Sequence, residues 1–274
     1  MEISRLYMVT GKGGVGKTTF SLALTRALQD RPWGKKIKLV SFTNDQHADL
    51  AHKLQLQFEL LDPLVSVTQY LSRKLSSRLV AEWIVKTDFF QSIFDLVPGF
   101  SYLIILGHLV DQLQTDPDLY IVLDSPASGH AVNMLSSLKI FEDIFQSGPM
   151  YKDILKTKKA LIEENFFSIV IVTLAGILPL QESFELQDQI EQIVKGKSQI
   201  IVNGVMSNIK EKLERIKDYI PPFLLKKCQI EQNYLLQYQH KFSQQLSFFY
   251  EDSEIHLIEH LIQQLKEKHF FSLS

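Results

Sequence analysis

Residues 11 to 19 read Gly11-Lys12-Gly13-Gly14-Val15-Gly16-Lys17-Thr18-Thr19, and few folds admit such a run. It follows an apolar, β-rich stretch, Ile3–Thr10, and opens a helical pattern from Thr18 to about Leu28. Glycines there let the backbone take φ > 0, so that several amide N–H groups point at one centre. The start of the following helix adds its positive dipole end. The G-x-x-x-x-G-K-[ST] spacing, between a strand and a helix, therefore predicts a phosphate cradle. Lys17 is expected at the β- and γ-phosphates and the Thr18 hydroxyl at a Mg²⁺ ion. Gly11, Lys12, Gly13, Gly14, Val15, Gly16 and Thr19 complete the expected nucleotide contacts.

A loop of this kind needs a sheet behind it. Further apolar runs lie at Ile37–Phe42, Leu119–Leu123, Ile169–Leu174 and Gln199–Val205, with a sixth candidate at Ser247–Tyr250. Continuous Ile/Val/Leu runs mark strands covered on both faces. The fold class is α/β, a doubly wound, mostly parallel sheet. Residues 1–274 are read as one domain with a helical insert at about 54–113 and a second helical segment at about 131–164. Within the insert, Leu64, Val67, Leu71, Leu75, Leu79 and Trp83 recur at helical spacing as one stripe. Thr87 is placed to cap a short helix carrying Phe89, Phe90, Ile93 and Phe94, and Pro98-Gly99 breaks it.

Composition narrows the partners. The 29 basic and 31 acidic side chains leave a net charge of −2, so no global field draws the chain to nucleic acid or an anionic membrane. The single cysteine, Cys228, cannot form an internal disulfide or a four-thiolate zinc site. The apolar stretch from Phe166 to Leu180 carries Gly176 and Pro179 and falls short of the ~20 residues that span a bilayer. A cytoplasmic location is expected.

Lys12 adds a second lysine that the phosphate grip does not need. With it, the loop resembles that of the deviant-Walker, signature-lysine ATPases, which implies ATP and Mg²⁺ as cofactors. In that family the matching lysine reaches the partner subunit's nucleotide across a face-to-face dimer. Leu123-Asp124-Ser125-Pro126-Ala127-Ser128-Gly129-His130 resembles the D-T-A-P-T-G-H switch II of the branch that contains arsenite-pump and tail-anchored-protein-targeting ATPases. The resemblance makes Asp124 the acid that holds Mg²⁺ through water. Ser41-Phe42-Thr43-Asn44-Asp45-Gln46-His47-Ala48-Asp49-Leu50 is similar to that branch's switch I, with Gln46-His47-Ala48 replacing Pro-Ala-His. Asp45 is then expected to orient the attacking water and to face Mg²⁺ through water, with Asp49 as the alternative. Lys12, Lys17 and Asp45 form the implied catalytic set. Ile200-Ile201-Val202-Asn203 resembles the strand whose Asn bonds adenine. An Asn that simply ends a strand in a turn reads the same way.

Two departures matter. Leu174-Ala175-Gly176 lacks the family's Glu after that strand, although Glu182 matches a Glu on the next helix. Cys228 in Lys226-Lys227-Cys228-Gln229 lacks both the metalloid-binding cysteines and the zinc C-x-x-C. One phosphate loop implies a second subunit, in a homodimer or a heterodimer with a related ATPase subunit. The resemblance implies an ATP-hydrolysing dimeric switch that captures a protein or hydrophobic client. The apolar insert would line its groove or pack on itself. The alternative is a partitioning or positioning ATPase of the ParA/MinD type acting on DNA or membrane. Against it, Lys210, Lys212, Arg215 and Lys217 are interleaved with Glu211 and Glu214. The C-terminal amphipathic helix (Ile255, Ile258, Leu261, Ile262, Leu265) also lacks basic flanks. Nucleic acid is not an expected partner, and membrane contact is at most indirect. A metabolic kinase is a weaker third option, with no readable acceptor site.

Overall fold

The computed structural model describes residues 3–42, 46–97, 99–125, 128–163 and 166–268. The chain opens with β1 (Leu6–Thr10), α1 (Lys17–Gln29), β2 (Lys36–Ser41), α2 (Gln46–Lys53) and β3 (Gln57–Leu60). Four helices follow: α3 (Pro63–Leu75), α4 (Arg78–Val85), α5 (Asp88–Leu96) and α6 (Phe100–Thr115). Next come β4 (Leu119–Asp124), α7 (Ser128–Ile144), α8 (Gly148–Ile162), β5 (Phe167–Leu174), α9 (Ile177–Ile193) and β6 (Ser198–Val205). The chain continues through α10 (Lys210–Arg215), α11 (Pro222–Gln237), β7 (Gln244–Ser247) and α12 (Glu254–Glu267).

Among the described residues the seven strands pair in parallel, in the order β3-β2-β4-β1-β5-β6-β7. Side chains alternate across the central strands, and both faces are apolar. On β1, Leu6 and Met8 join one buried cluster with α6, α7 and α9, while Tyr7 and Val9 join another with α1 and α12. That double cover explains the unbroken apolar runs. Among the described residues, no helix is long and apolar enough to cross a membrane.

The edges differ from the sequence reading. The strand expected at Ser247–Tyr250 lies earlier, at Gln244–Ser247, where only Leu246 is buried. The short strand β3 stands inside the stretch read as helical at about 54–113. Both are edge strands with little apolar surface to cover, so neither carries an apolar run. The helical stretch begins only at Pro63, where Asp62 accepts a 3.0 Å hydrogen bond from the Val65 amide as the N-cap. The single stripe from Leu64 to Trp83 is split between α3 and α4. Ser76 turns left-handed (φ 52°), and Ser77 caps α4 by accepting from the Val80 amide. Thr87 Oγ1 accepts from the Phe90 amide at 3.3 Å at the head of α5. Phe90 and Phe94 pack against Phe100 and thus on the core, whereas Leu79 is 80% and Trp83 69% exposed. Helix α6 is not peripheral: Leu103 to Leu113 line the sheet's own apolar layer.

Candidate phosphate-binding site

The glycine loop leaves the end of β1 and is pressed against its neighbours. A Cβ on Gly11 (φ +142°) would lie 2.2 Å from the Val172 carbonyl oxygen, so only glycine passes here. Gly16 (φ +91°) stands at the N-cap of α1 and offers no side-chain cap. A helix N-terminus of this kind presents N–H groups and a positive dipole end that suit an anion. Lys17 lies across the loop and donates to the Lys12 carbonyl oxygen at 2.8 Å. Burial pushes its amine below the usual range, opposed by the charge of Asp124.

Asp124, at the end of β4, is 5% exposed. Its Oδ2 accepts from the Thr18 hydroxyl at 2.8 Å and its Oδ1 from the Ser21 hydroxyl at 3.2 Å. His47 Nδ1 is 3.9 Å from Oδ2. Burial pushes the Asp124 carboxyl above the usual range, while the Thr18 bond, His47, Ser21 and Lys17 pull it back. A buried carboxylate beside a hydroxyl is a hard oxygen donor set that suits Mg²⁺. Among the described residues no three His, Cys, Asp or Glu side chains form a metal cluster. A Mg²⁺ ion held here would take its other ligands from phosphate and water, as Mg²⁺ commonly does.

The structure brings Lys17, Thr18 and Asp124 together and adds two groups that the sequence reading passed over. Ser21 follows Thr18 by three residues, which puts both hydroxyls on one face of α1; that spacing was the available signal. His47 reaches the acid from α2, and nothing in the sequence pattern announces it. Asp45, with Thr43 and Asn44, lies outside the described residues, as do Pro126 and Ala127 of the second switch segment. Asp49 is exposed on α2. Asn203 Nδ2 donates to the Val15 carbonyl oxygen at 2.9 Å, so Asn203 rests on the phosphate loop itself. Lys12 pairs within the same chain with Glu182 on α9, at 3.0 Å. In the first turn of α7, His130 Nδ1 lies 2.5 Å from the Tyr102 hydroxyl on α6. The Tyr102 ring also meets Phe42, at the end of β2, edge-on with centroids 6.3 Å apart.

A parallel sheet with a glycine loop after its central strand, and a hydroxyl–carboxylate pair at the adjacent strand end, defines a P-loop NTPase fold. The chain belongs to the anion-transporting ATPase family, whose profile matches residues 4–149. It is 27% identical over 222 residues to ATPase BagA of Mycobacterium tuberculosis, covering 73% of this chain and 64% of that protein. A putative ATPase of Mycobacterium bovis matches with the same identity and coverage. The ATPase ASNA1 homolog of Entamoeba dispar is 22% identical over 250 residues, covering 72% of this chain and 75% of the homolog. The chain thus spans 64% of the length of its mycobacterial relatives.

Proposed function

We propose that this chain binds Mg-ATP at the Gly11–Thr19 loop and hydrolyses it as one half of a dimeric switch. The observation that carries the reading is the contact of Thr18 with the buried Asp124 beside Lys17. Bound Mg²⁺ would supply charge stabilisation of the phosphoryl oxygens, held by the Thr18 hydroxyl and, through water, by Asp124 and Asp45. Lys17 and the loop amides bind the phosphates, and Asp45 orients the water. Lys12 leaves Glu182 to serve the partner subunit's nucleotide, and the pair is exposed enough to exchange at little cost. Asn203 faces the base.

The output of the switch is the α3–α4 face, which presents Leu64, Leu75, Leu79 and Trp83 to a protein or hydrophobic client. Tyr102 links the two ends. It touches Phe42 and His130, which lie where the two switch segments begin and end, and α6 packs directly on α3. Lys17→Ala should weaken ATP binding measured by calorimetry about 30- to 1,000-fold, the effect of truncating a buried charge contact. Unchanged affinity would sink the assignment. With Trp33→Phe as background, Trp83 becomes the sole tryptophan, and its emission should shift when ATP binds. Tyr102→Phe should remove the shift and leave ATP affinity in place. An identical shift in both proteins would break the proposed link.

A further inference from the structure

Beyond Asn203 the chain leaves β6 through Val205, Met206 and Ser207, and this segment is held from two sides. From α11, Glu231 Oε2 accepts the amide N–H of Met206 at 2.8 Å and of Ser207 at 3.1 Å. One turn earlier, the Cys228 thiol lies 3.5 Å from the Met206 carbonyl oxygen. Glu231 is 4% exposed and Cys228 fully buried. From the β7 side, the Phe248 amide donates to the Val205 carbonyl at 3.1 Å, and the Asn208 amide group donates to Ser247 Oγ at 3.0 Å.

A buried carboxylate is expensive. Burial pushes the Glu231 carboxyl above the usual range, the two N–H bonds oppose that rise, and Lys227 stands 3.9 Å away. A polar side chain held at that cost fixes the backbone it bonds. The backbone here adjoins the loop: Asn203 rests on Val15, and a Cβ on Gly16 would lie 2.5 Å from the Asn203 amide nitrogen. Thr18 and Asp124 mark the terminal-phosphate end, on the β4 side of β1. β6 lies on the opposite side of β1, so a nucleotide stretched along the loop carries its base toward Asn203 and the segment after it.

We infer that Glu231 is a positioning residue for base recognition: it fixes the segment after Asn203 through two backbone amides and so sets how tightly the base is held. The inference rests on the proposed nucleotide site and adds to it the part of the chain that distinguishes one nucleotide from another. Glu231 bonds the Met206 and Ser207 amides and faces Lys227, all outside the Gly11–Thr19 loop. Its loss should therefore weaken base-dependent affinity and leave the triphosphate grip alone.

The test compares ATP with inorganic tripolyphosphate, which has the phosphates without the base, by calorimetry on the full chain. Wild type should bind ATP more tightly than tripolyphosphate. Glu231→Ala should lose about tenfold in ATP affinity, in line with losing hydrogen bonds to a charged group, at unchanged tripolyphosphate affinity. Retained tripolyphosphate binding also reports that the variant is folded. Glu231→Gln keeps a carbonyl acceptor and should recover to within about threefold of wild type. If the alanine variant does not fold, Glu231→Asp carries the test, because its carboxylate is one methylene short and the ATP-to-tripolyphosphate ratio must still fall. Equal weakening of both ligands, or of neither, overturns the inference while leaving the phosphate site standing. A wild type that binds neither ligand overturns the site itself, and this inference with it.

Discussion

Helices α1 and α3 each have 13 residues and a similar share of apolar side chains, yet they meet different fates. Helix α1 buries Phe20, Leu22, Ala23, Leu24, Ala27 and Leu28, because it lies between the sheet and α12. Helix α3 buries only Ser66, Val67 and Tyr70, leaving Leu64, Val65 and Leu75 at the surface. The difference lies in the neighbours. An apolar stripe is buried only if something covers it, and among the described residues α3 packs on α4 and α6 and bonds Asp153 of α8 through Tyr70 and Lys74, contacts that leave Leu64, Val65 and Leu75 uncovered. The covered helix follows directly on the glycine loop, whereas the uncovered one is the surface that the proposed function assigns to a client.

The sharpest way to break this comparison is to truncate one apolar side chain on each helix. Leu24→Ala in α1 should cost about 2–5 kcal/mol, the range for a fully buried leucine, read as a shift in denaturation midpoint. Val65→Ser on α3 should stay within about 0.5 kcal/mol, as surface changes do. Equal costs would mean that α3 is covered after all, and the comparison would fail.

A smaller effect separates the two regions by charge. Between β3 and α6, Glu59 accepts from Lys38 at 2.8 Å and has His108 at 3.7 Å. Lys38 also donates to the Gln112 carbonyl oxygen, and the Gln112 amide nitrogen lies 2.7 Å from His108 Nε2. His108 and Lys38 hold the Glu59 carboxyl down to about 2 against its burial. A lowered carboxyl pKa means that this stability is present above the ordinary value, near 4.5, and is lost as pH falls toward 2. Glu59→Gln should therefore cost about 1–2 kcal/mol at pH 7 after allowance for partial exposure. The gap from wild type should narrow as the pH is lowered through that window. A gap that stays constant in acid would show that the cluster is held by packing.

The smallest effect belongs to Lys12 and Glu182. Both are about half exposed, so Glu182→Gln should change stability by less than about 0.5 kcal/mol. If the proposed dimeric switch holds, turnover at low protein concentration should nonetheless rise, because Lys12 would then be released toward a second subunit. A marked fall in stability would make the pair structural.

How much of this was legible beforehand depends on range. The glycine loop is local chemistry, nine consecutive residues whose conformational needs are fulfilled wherever a strand precedes and a helix follows. Asp124 and its neighbours could be read for the same reason, as a short motif at a strand end. The central strands announced themselves because both faces must be apolar. The edge strands β3 and β7 did not, because an edge needs few apolar side chains, and Gln57–Leu60 looks like any polar segment.

Sequence by itself determined the class of fold and the glycine loop, and resemblance to a family motif singled out Asp124. Only the tertiary structure decided which apolar helices are covered and that Ser21 and His47 reach Asp124. It also decided that Lys12 rests on Glu182 and that Glu231 holds the segment after Asn203. The last of these joins residues 25 positions apart. No spacing rule reaches that far, because such contacts follow from how crossover helices lie on a sheet, which the chain settles only when the whole core closes.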